Sequence, residues 1–267
     1  MGKDGSKRLE ILYLDDQVVV VNKPAGLPVI PLRTGKGPSL RELLVEELGG
    51  APCWVVHRID RETSGVVLFA RDSESHRRLS RMFEHREIRK TYVAVVRGRP
   101  VPPEGTIELA LVRDRDNPTR MTVARRAGKP AQPMAGEPAR RMAGKPSRTE
   151  YRTLEVFRGY SLVELRPVTG RMHQVRVHLA AIGHPRAVDP LYGGVEAVYL
   201  SEFKRDYRAK RKQEERPLMG RLSLHARDIT FEHPATGEVV FVEAALPRDF
   251  AVFLRQLSKH GTPPDER

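Results

Sequence analysis

The stretch HRIDRETSGVVLFA, residues 57–70, places two very different compositions side by side. Its first half is polar and sets Asp60 between Arg58 and Arg61, whereas the run from Val66 to Ala70 is apolar throughout. A continuous apolar run that follows a polar turn is typical of a strand buried on both faces. We therefore predict that a loop carries Asp60 into a central strand, where a rigid scaffold can present the carboxylate.

The sequence on either side of this stretch predicts a sheet covered by helices. Apolar or alternating runs predict two strands within residues 11–22, further strands at 66–70, 90–98, 150–157 and 160–168, and a hairpin within 221–244. Helical spacing and capping signals predict helices at 39–48, 72–87, 173–182 and 247–259. Strands and helices do not alternate strictly, so we expect an α/β fold of the α+β type, with a mixed, mainly antiparallel central sheet and flanking helices.

The positive charge of the chain is concentrated in two segments. The 267 residues carry a formal net charge of +13, of which residues 113–150 contribute ten basic and four acidic side chains, and residues 203–221 contribute eight and three. Such clusters indicate a polyanionic partner, although solvated surface loops would show the same composition. We expect one domain over residues 1–267, with basic insertions at about 113–149 and about 203–216.

The first basic segment contains a short repeat. The tetrapeptides AGKP, AGEP and AGKP begin at Ala127, Ala135 and Ala143, a period of eight residues. A repeat so short and so rich in Pro and Gly cannot bury a core of its own. We predict an exposed low-complexity loop rather than a solenoid.

Several common functional classes are excluded by what the sequence lacks. It has no P-loop, no G-x-G-x-x-G and no H-E-x-x-H motif, and Cys53 is its only cysteine. His173 and His178 are five residues apart, so they do not share one helix face as a metal-binding pair would. We therefore predict no metal and no small-molecule cofactor. The single cysteine, the polar N-terminus and the shortness of every apolar run predict a cytoplasmic protein without a membrane partner.

The residues alone leave two interpretations of Asp60 open. Flanking arginines would favour its ionised form, and a positioned carboxylate can serve as a nucleophile, a base or an electrostatic stabiliser. The same pattern also suits a structural salt bridge or a loop cap.

Four blocks of sequence resemble the RluA-type pseudouridine synthases. HRIDRETSG at 57–65 is similar to the family signature H-R-L-D-x-x-T-S-G, with Ile59 in place of leucine. VVNKPAGLPV at 20–29, KTYVAVVRG at 90–98 and TGRMHQVRVHLAAIGHP at 169–185, the last followed by DPLYGG and RLSLHA, resemble the other blocks in the same order. One departure is Val188 before Asp189, where the family often has glycine. The similarity spans nearly the whole chain except the two basic segments.

The resemblance implies a fold, a reaction and a set of site residues. It implies the pseudouridine synthase fold as a catalytic domain without a separate N-terminal RNA-binding domain. The reaction would break the N-glycosidic bond of a uridine, turn the base and rejoin it through carbon 5. Asp60 would be the catalytic carboxylate, Arg171 its ion-pair partner, and Tyr92 would stack on the base and assist loss of the carbon-5 proton. Arg58 would fill the gap left by the flipped base, since a planar guanidinium can stack there. The remaining substrate- and RNA-binding positions would be His57, Arg61, Thr63, Gln174 and Leu224.

We therefore expect an isomerase that acts on ribosomal or transfer RNA, and two alternatives remain. A noncatalytic RNA-binding or ribosome-assembly factor on the same fold would not need an acid near phosphates. A glycosidase-like hydrolase would need two opposed carboxylates, which Asp60 and Glu62, only two positions apart, are poorly placed to supply. RNA is the expected partner and a monomer the expected state.

Overall fold

The computed structural model describes residues 9–32, 35, 37–124, 144–193, 195–208 and 214–261. Most of the predicted repeat and the middle of the second basic segment lie outside these described residues. Within the described ranges, none of the helices combines the length and the apolar character needed to cross a bilayer.

The described chain folds into eleven strands and four helices. The strands are β1 (Glu10–Leu14), β2 (Val18–Lys23), β3 (Trp54–Val55), β4 (Ser64–Ala70), β5 (Arg89–Arg97), β6 (Glu104–Arg113), β7 (Met121–Val123), β8 (Lys145–Phe157), β9 (Tyr160–Pro167), β10 (Leu224–Glu232) and β11 (Val239–Glu243). The helices are α1 (Leu40–Glu47), α2 (Ser73–His85), α3 (Gln174–Ala181) and α4 (Arg248–His260). The capping box predicted for α1 is confirmed, because Ser39 and Glu42 exchange hydrogen bonds.

All the strands belong to one mixed sheet, which confirms the expected fold class. The order along the sheet is β1-β2-β4-β10-β5-β9-β8-β6-β7, with β11 paired to β10 and β3 paired to β4. The pairing of β4 with β10 is parallel, and the other strand pairs among the described residues are antiparallel. The apolar run of the opening stretch forms β4, which is buried along its whole length in the middle of the sheet.

Gly65 is required where β4 meets β10. The parallel pairing aligns His225 with Ser64 and Ala226 with Gly65. Gly65 has a φ of +113°, and a Cβ built there would lie 2.0 Å from the carbonyl oxygen of Ala226. Only glycine tolerates both this backbone conformation and this close approach. The glycine of the HRIDRETSG block therefore allows β4 to pair closely with β10.

Helices cover both faces of the sheet. Alternate residues of β2 and β4 face two different clusters: Val18 and Leu68 pack with α2, whereas Val19 and Phe69 pack with α1. Farther along the sheet, α3 and α4 contribute to two more clusters. Tyr92 packs against both the α1 cluster and the α3 cluster. Because successive strand residues alternate between faces, α1 and α3 lie on one face and Tyr92 lies at the junction between them.

The first basic segment is more regular at its described ends than the sequence suggests. The segment predicted as a loop at about 113–149 contains all of β7 and the first five residues of β8. These residues pair with β6. The backbone hydrogen bonds from β6 make them strands, and a local sequence pattern does not reveal such pairing. In the second segment, residues 203–208 and 214–216 form turns and irregular backbone.

Candidate active site

Asp60 lies in a turn that is attached to a second loop. Ile59 packs into the α1 cluster, and the carbonyl of Asp60 accepts a hydrogen bond from the Thr63 amide at 3.1 Å. The next carbonyl, that of Arg61, accepts from the Gly26 amide at 2.9 Å. The Arg61 Nε donates back to the Gly26 carbonyl at 2.8 Å. The turn is thus held by the packing of Ile59 in the core and by the hydrogen bonds between Arg61 and Gly26.

The Lys23 side chain hydrogen-bonds to both of these loops. Its side chain is fully buried, and Nζ donates to the carbonyls of Pro24, Leu27 and Arg61 at 2.9, 2.7 and 2.8 Å. Burial lowers the pKa of Lys23 to about 7, against the opposing pull of Glu62 and Asp60. Nothing in the sequence marks this residue, because a lysine at the end of an apolar strand gives no sign that it is enclosed.

Two side chains from the start of α3 approach the Asp60 carboxylate. Arg176 Nη1 lies 3.5 Å from Asp60 Oδ2, and His173 Nε2 lies 4.0 Å from the same oxygen. His173 directly precedes α3 and Arg176 is three residues later, so the two side chains project from one side of the helix. The Asp60 side chain is 25% exposed, so it remains open to a substrate.

Arg176, not Arg171, is the partner of Asp60, and the sequence prediction was wrong on this point. Arg171 lies in the turn before α3, where its amide donates to Gln174 and its Nε reaches the Pro146 carbonyl on β8 at 3.4 Å. Its side chain therefore leaves the helix on the β8 side. The helical spacing of His173 and Arg176 in the predicted helix was the signal that could have identified the correct arginine.

A buried acid holds Arg176 in place from behind. Asp189 is fully buried and accepts from Arg176 through two contacts, Nη2 to Oδ1 at 2.8 Å and Nε to Oδ2 at 3.4 Å. The fully buried Arg186 also contacts Asp189 Oδ2. Cations and anions therefore alternate from Arg186 through Asp189 and Arg176 to Asp60, an arrangement that leaves the cluster close to neutral. The family resemblance gave no role to Asp189 and mentioned it only because Val188 precedes it.

Tyr92 and Leu224 form an apolar wall beside this cluster. Tyr92 lies on β5 opposite Leu165 of β9 and Ala226 of β10, and Leu224 packs in the same α3 cluster. Burial, and after it the charge of Asp60, raises the pKa of Tyr92 well above its usual range. The phenol therefore stays protonated at neutral pH and offers an uncharged aromatic face.

The other predicted binding residues divide into exposed and internal ones. Arg58 is exposed, as is Arg61, so both remain available to RNA. His57 is not: its Nε2 accepts from the Leu68 amide at 3.0 Å, its ring stacks on Phe83, and burial lowers its pKa to about 3.

Two further predicted contacts are also internal. Thr63 is 1% exposed, so its hydroxyl cannot reach an RNA strand. Gln174 is buried and joins the loop before α3 to β8. Its side-chain oxygen accepts from the Thr169 hydroxyl and the Arg171 amide, and its nitrogen donates to the Arg148 carbonyl and the Thr149 hydroxyl. His57 and Gln174 supply hydrogen bonds to neighbouring backbone groups, whereas the buried Thr63 hydroxyl has no hydrogen-bond partner among the described residues.

Tyr192 connects the site to the β6–β7 hairpin. Its hydroxyl accepts from the Met121 amide at 2.8 Å and lies 3.0 Å from His173 Nδ1. The guanidinium groups of Arg120 and Arg176 lie 5.4 and 5.1 Å from the centre of its ring. The described start of the first basic segment is therefore connected through the Tyr192 hydroxyl to His173, which faces Asp60. Among the described residues, no cluster of three or more His, Cys, Asp or Glu side chains could hold a metal ion.

Comparison with known proteins identifies the family. Residues 17–181, more than half of the chain, match the RNA pseudouridylate synthase family. The dual-specificity RNA pseudouridine synthase RluA of Escherichia coli is 37% identical over 244 residues, which cover 91% of this chain and 94% of that protein. The ribosomal large subunit pseudouridine synthase D of Neisseria meningitidis is 36% identical over 90% of this chain, which spans only 59% of that longer relative.

Solved structures agree with this assignment. Human RNA pseudouridylate synthase domain containing 4 is 28% identical, with a TM-score of 0.69 and coverage of 93% of both chains. Human RNA pseudouridylate synthase domain containing 1 is 25% identical, with a TM-score of 0.66. The chain belongs to the RNA pseudouridylate synthase family and is an RluA-type member of it, as the four sequence blocks predicted.

Proposed function

We propose that this protein is an isomerase that converts specific uridines in structured RNA to pseudouridine, with Asp60 as the catalytic carboxylate. The observation that supports it is the position of Asp60: a partly exposed acid beside Arg176 and next to the protonated phenol of Tyr92. A protein that only bound RNA would gain nothing from a carboxylate held open beside phosphates. The relatives are named as synthases, and four sequence blocks of this chain resemble those of the same family.

The reaction requires the uridine to leave its stack. The C1′, C5 and C6 atoms of a stacked uridine are shielded, and extruding the base costs a few kcal/mol. Tyr92 offers an aromatic face, and stacking on such a face contributes about 1–3 kcal/mol per base. Arg58, exposed at the edge of the Asp60 turn, can occupy the vacated space.

Asp60 acts on the extruded nucleotide. The C1′–N1 bond breaks, the uracil turns, C1′ bonds to C5, and the proton of C5 is lost while N1 gains one, so the product is an isomer of the substrate. Three routes use an ionised carboxylate here: attack on C1′, attack on C6, or removal of a ribose proton to form a glycal. Arg176 and His173 both approach Oδ2, and no described residue hydrogen-bonds to Oδ1, which leaves that oxygen for the reaction.

We propose ribosomal or transfer RNA as the substrate, bound by a monomer in the cytoplasm. A ribosomal large subunit synthase and a dual-specificity RNA synthase are both among the relatives, and the first of these names favours ribosomal RNA. A map of pseudouridines in cellular RNA, with and without the gene, tests the activity and identifies the substrate. Loss of one or a few pseudouridines is expected, and an unchanged map would favour the noncatalytic RNA-binding alternative.

The β6–β7 hairpin supplies part of the RNA-binding surface. Arg113, Arg115 and Arg120 are exposed there, and the Tyr192 contacts hold the hairpin next to the site. Replacing Arg113 and Arg115 with glutamine should weaken RNA binding and reduce the slope of log K against log salt by about one to two. The matched control replaces Arg77 and Arg81, two exposed arginines of α2 on the opposite face, and should leave the slope unchanged. Equal slopes for both variants would remove the hairpin from the RNA-binding surface.

A further inference from the structure

The hydrogen bonds around the Tyr192 hydroxyl determine where the proton of His173 lies. The Met121 amide can only donate, so the phenolic oxygen accepts from it at 2.8 Å. The phenolic proton then has one polar neighbour in the described structure, His173 Nδ1 at 3.0 Å. If Nδ1 carried a proton instead, both groups would direct hydrogens at the phenolic oxygen, and the phenolic proton would have no acceptor among the described residues. The satisfied arrangement has Tyr192 donating to an unprotonated Nδ1.

A neutral imidazole that accepts at Nδ1 carries its proton on Nε2. His173 Nε2 is the ring atom that faces Asp60 Oδ2, at 4.0 Å. This separation is longer than a hydrogen bond, so in the free protein the N–H acts as an oriented dipole, and such contacts commonly shorten when substrate binds. With the opposite tautomer, a nitrogen lone pair would face the carboxylate and repel its charge.

The surroundings of His173 keep the ring neutral. Asp60 faces the ring from the loop at 57–65, and Tyr192 faces it from the turn that follows Asp189. Arg176 of α3 and Arg186 after α3 are the nearer cations. Arg120 lies over the Tyr192 ring. Burial, with the two nearer arginines, lowers the pKa of His173, and Asp60 opposes this. A second cation beside Arg176 would be repelled, so the neutral ring fits the charge pattern.

We propose that His173 is a positioning residue for Asp60, and that the Tyr192 hydroxyl holds its ring in the neutral tautomer with the proton on Nε2. The inference rests on the proposed function, because His173 acts only through Asp60. His173 and Arg176 then act together on one oxygen of Asp60 from the first turn of α3. The β6–β7 hairpin takes part in this arrangement, since the Met121 amide fixes the oxygen of Tyr192.

The tautomer can be observed directly. Long-range proton–nitrogen spectra of the full chain labelled with ¹⁵N-histidine distinguish protonated from unprotonated ring nitrogens, and the spectrum of His173→Gln assigns the signal among the nine histidines. We expect a protonated Nε2 and an unprotonated Nδ1 for His173 at neutral pH, and a mixture of tautomers in Tyr192→Phe. Tyr160→Phe is the matched control, because it removes a hydroxyl that donates to Glu202 at 2.8 Å outside the site. A protonated Nδ1 in the unaltered protein would overturn the proposal.

Kinetics test the role through Asp60. His173→Leu and His173→Gln impose the same left-handed backbone demand at φ 53°, and only glutamine keeps an N–H donor. With transcripts of large-subunit ribosomal RNA and of tRNA labelled with [5-³H]uridine, His173→Leu should lower the single-turnover rate about tenfold with little change in RNA affinity. His173→Gln should recover most of that loss.

The two proposals fail in distinguishable ways. Equal rates for the leucine and glutamine variants would sink the role of His173, while an inactive Asp60→Asn would still support the synthase. An active Asp60→Asn would instead refute the proposed catalytic carboxylate, and the role of His173 with it.

Discussion

Replacing Arg176 with glutamine tests which arginine serves Asp60. The Arg176 Nη1 to Asp60 Oδ2 distance is 3.5 Å, and the two side chains are 10% and 25% exposed. Two unit charges about 4 Å apart attract by about 4 kcal/mol at an effective dielectric constant of about 20. Because Asp60 is partly exposed, solvent screens this attraction, and we expect Arg176→Gln to lose about 2–3 kcal/mol of it. The rate of pseudouridine formation should therefore fall about 30- to 150-fold.

The matched control is Arg171→Gln, the same change five positions earlier. Arg171 contacts the Pro146 carbonyl and not Asp60, so this variant should stay within about twofold of the unaltered rate, as surface substitutions usually do. Release of tritium from [5-³H]uridine RNA under single-turnover conditions measures the chemical step, and urea unfolding checks that both variants are folded. In the Arg176 variant Asp189 still has Arg186, so the fold should survive. A larger rate loss in Arg171→Gln than in Arg176→Gln would refute the assignment.

Three further predictions concern the loop that carries Asp60. Gly65→Ala should destabilise the fold by more than about 2 kcal/mol in urea unfolding, because its Cβ would lie 2.0 Å from the Ala226 carbonyl oxygen at a φ of +113°; unchanged stability would contradict the strand pairing. Lys23 has a folded pKa lowered from 10.5 to about 7, so the unfolded chain binds more protons between these values. Relative to Lys23→Met, the free energy of unfolding should therefore rise with pH across that window, by at most about 1.4 kcal/mol per pH unit. If the two proteins gave parallel curves of unfolding free energy against pH, Lys23 would be charged in the folded protein, against this prediction. Thr63→Val removes a buried hydroxyl that has no hydrogen-bond partner and should be neutral or stabilising by about 1 kcal/mol with RNA affinity retained; weaker RNA binding by a stably folded variant would return Thr63 to the binding surface.

The sequence was sufficient for the elements whose pattern is local. The apolar run after Asp60 predicted β4, and the Ser39–Glu42 capping box predicted the start of α1, because periodicity and capping depend on neighbours in the chain. The order of the blocks was enough to identify the family.

What the sequence could not supply depends on contacts between distant segments. Lys23 meets the Arg61 carbonyl across 38 positions, and Asp189 meets Arg176 across 13 positions and a turn. The prediction of Arg171 failed because both arginines lie in one block, and only the start of α3 decides which of them faces Asp60. His57 and Thr63 look like polar binding residues in the quoted stretch, yet the fold buries Thr63 and leaves His57 only partly exposed, with its ring stacked on Phe83.

The most direct measurement compares Asp60→Asn with the unaltered protein for both chemistry and binding. Asparagine keeps the size of the side chain and removes the charge that Arg176 Nη1 faces at 3.5 Å. We expect no detectable pseudouridine in a transcript that the unaltered protein modifies, while the dissociation constant for that RNA changes by less than about threefold. Pseudouridine formation by the asparagine variant at a rate near that of the unaltered protein would contradict the account.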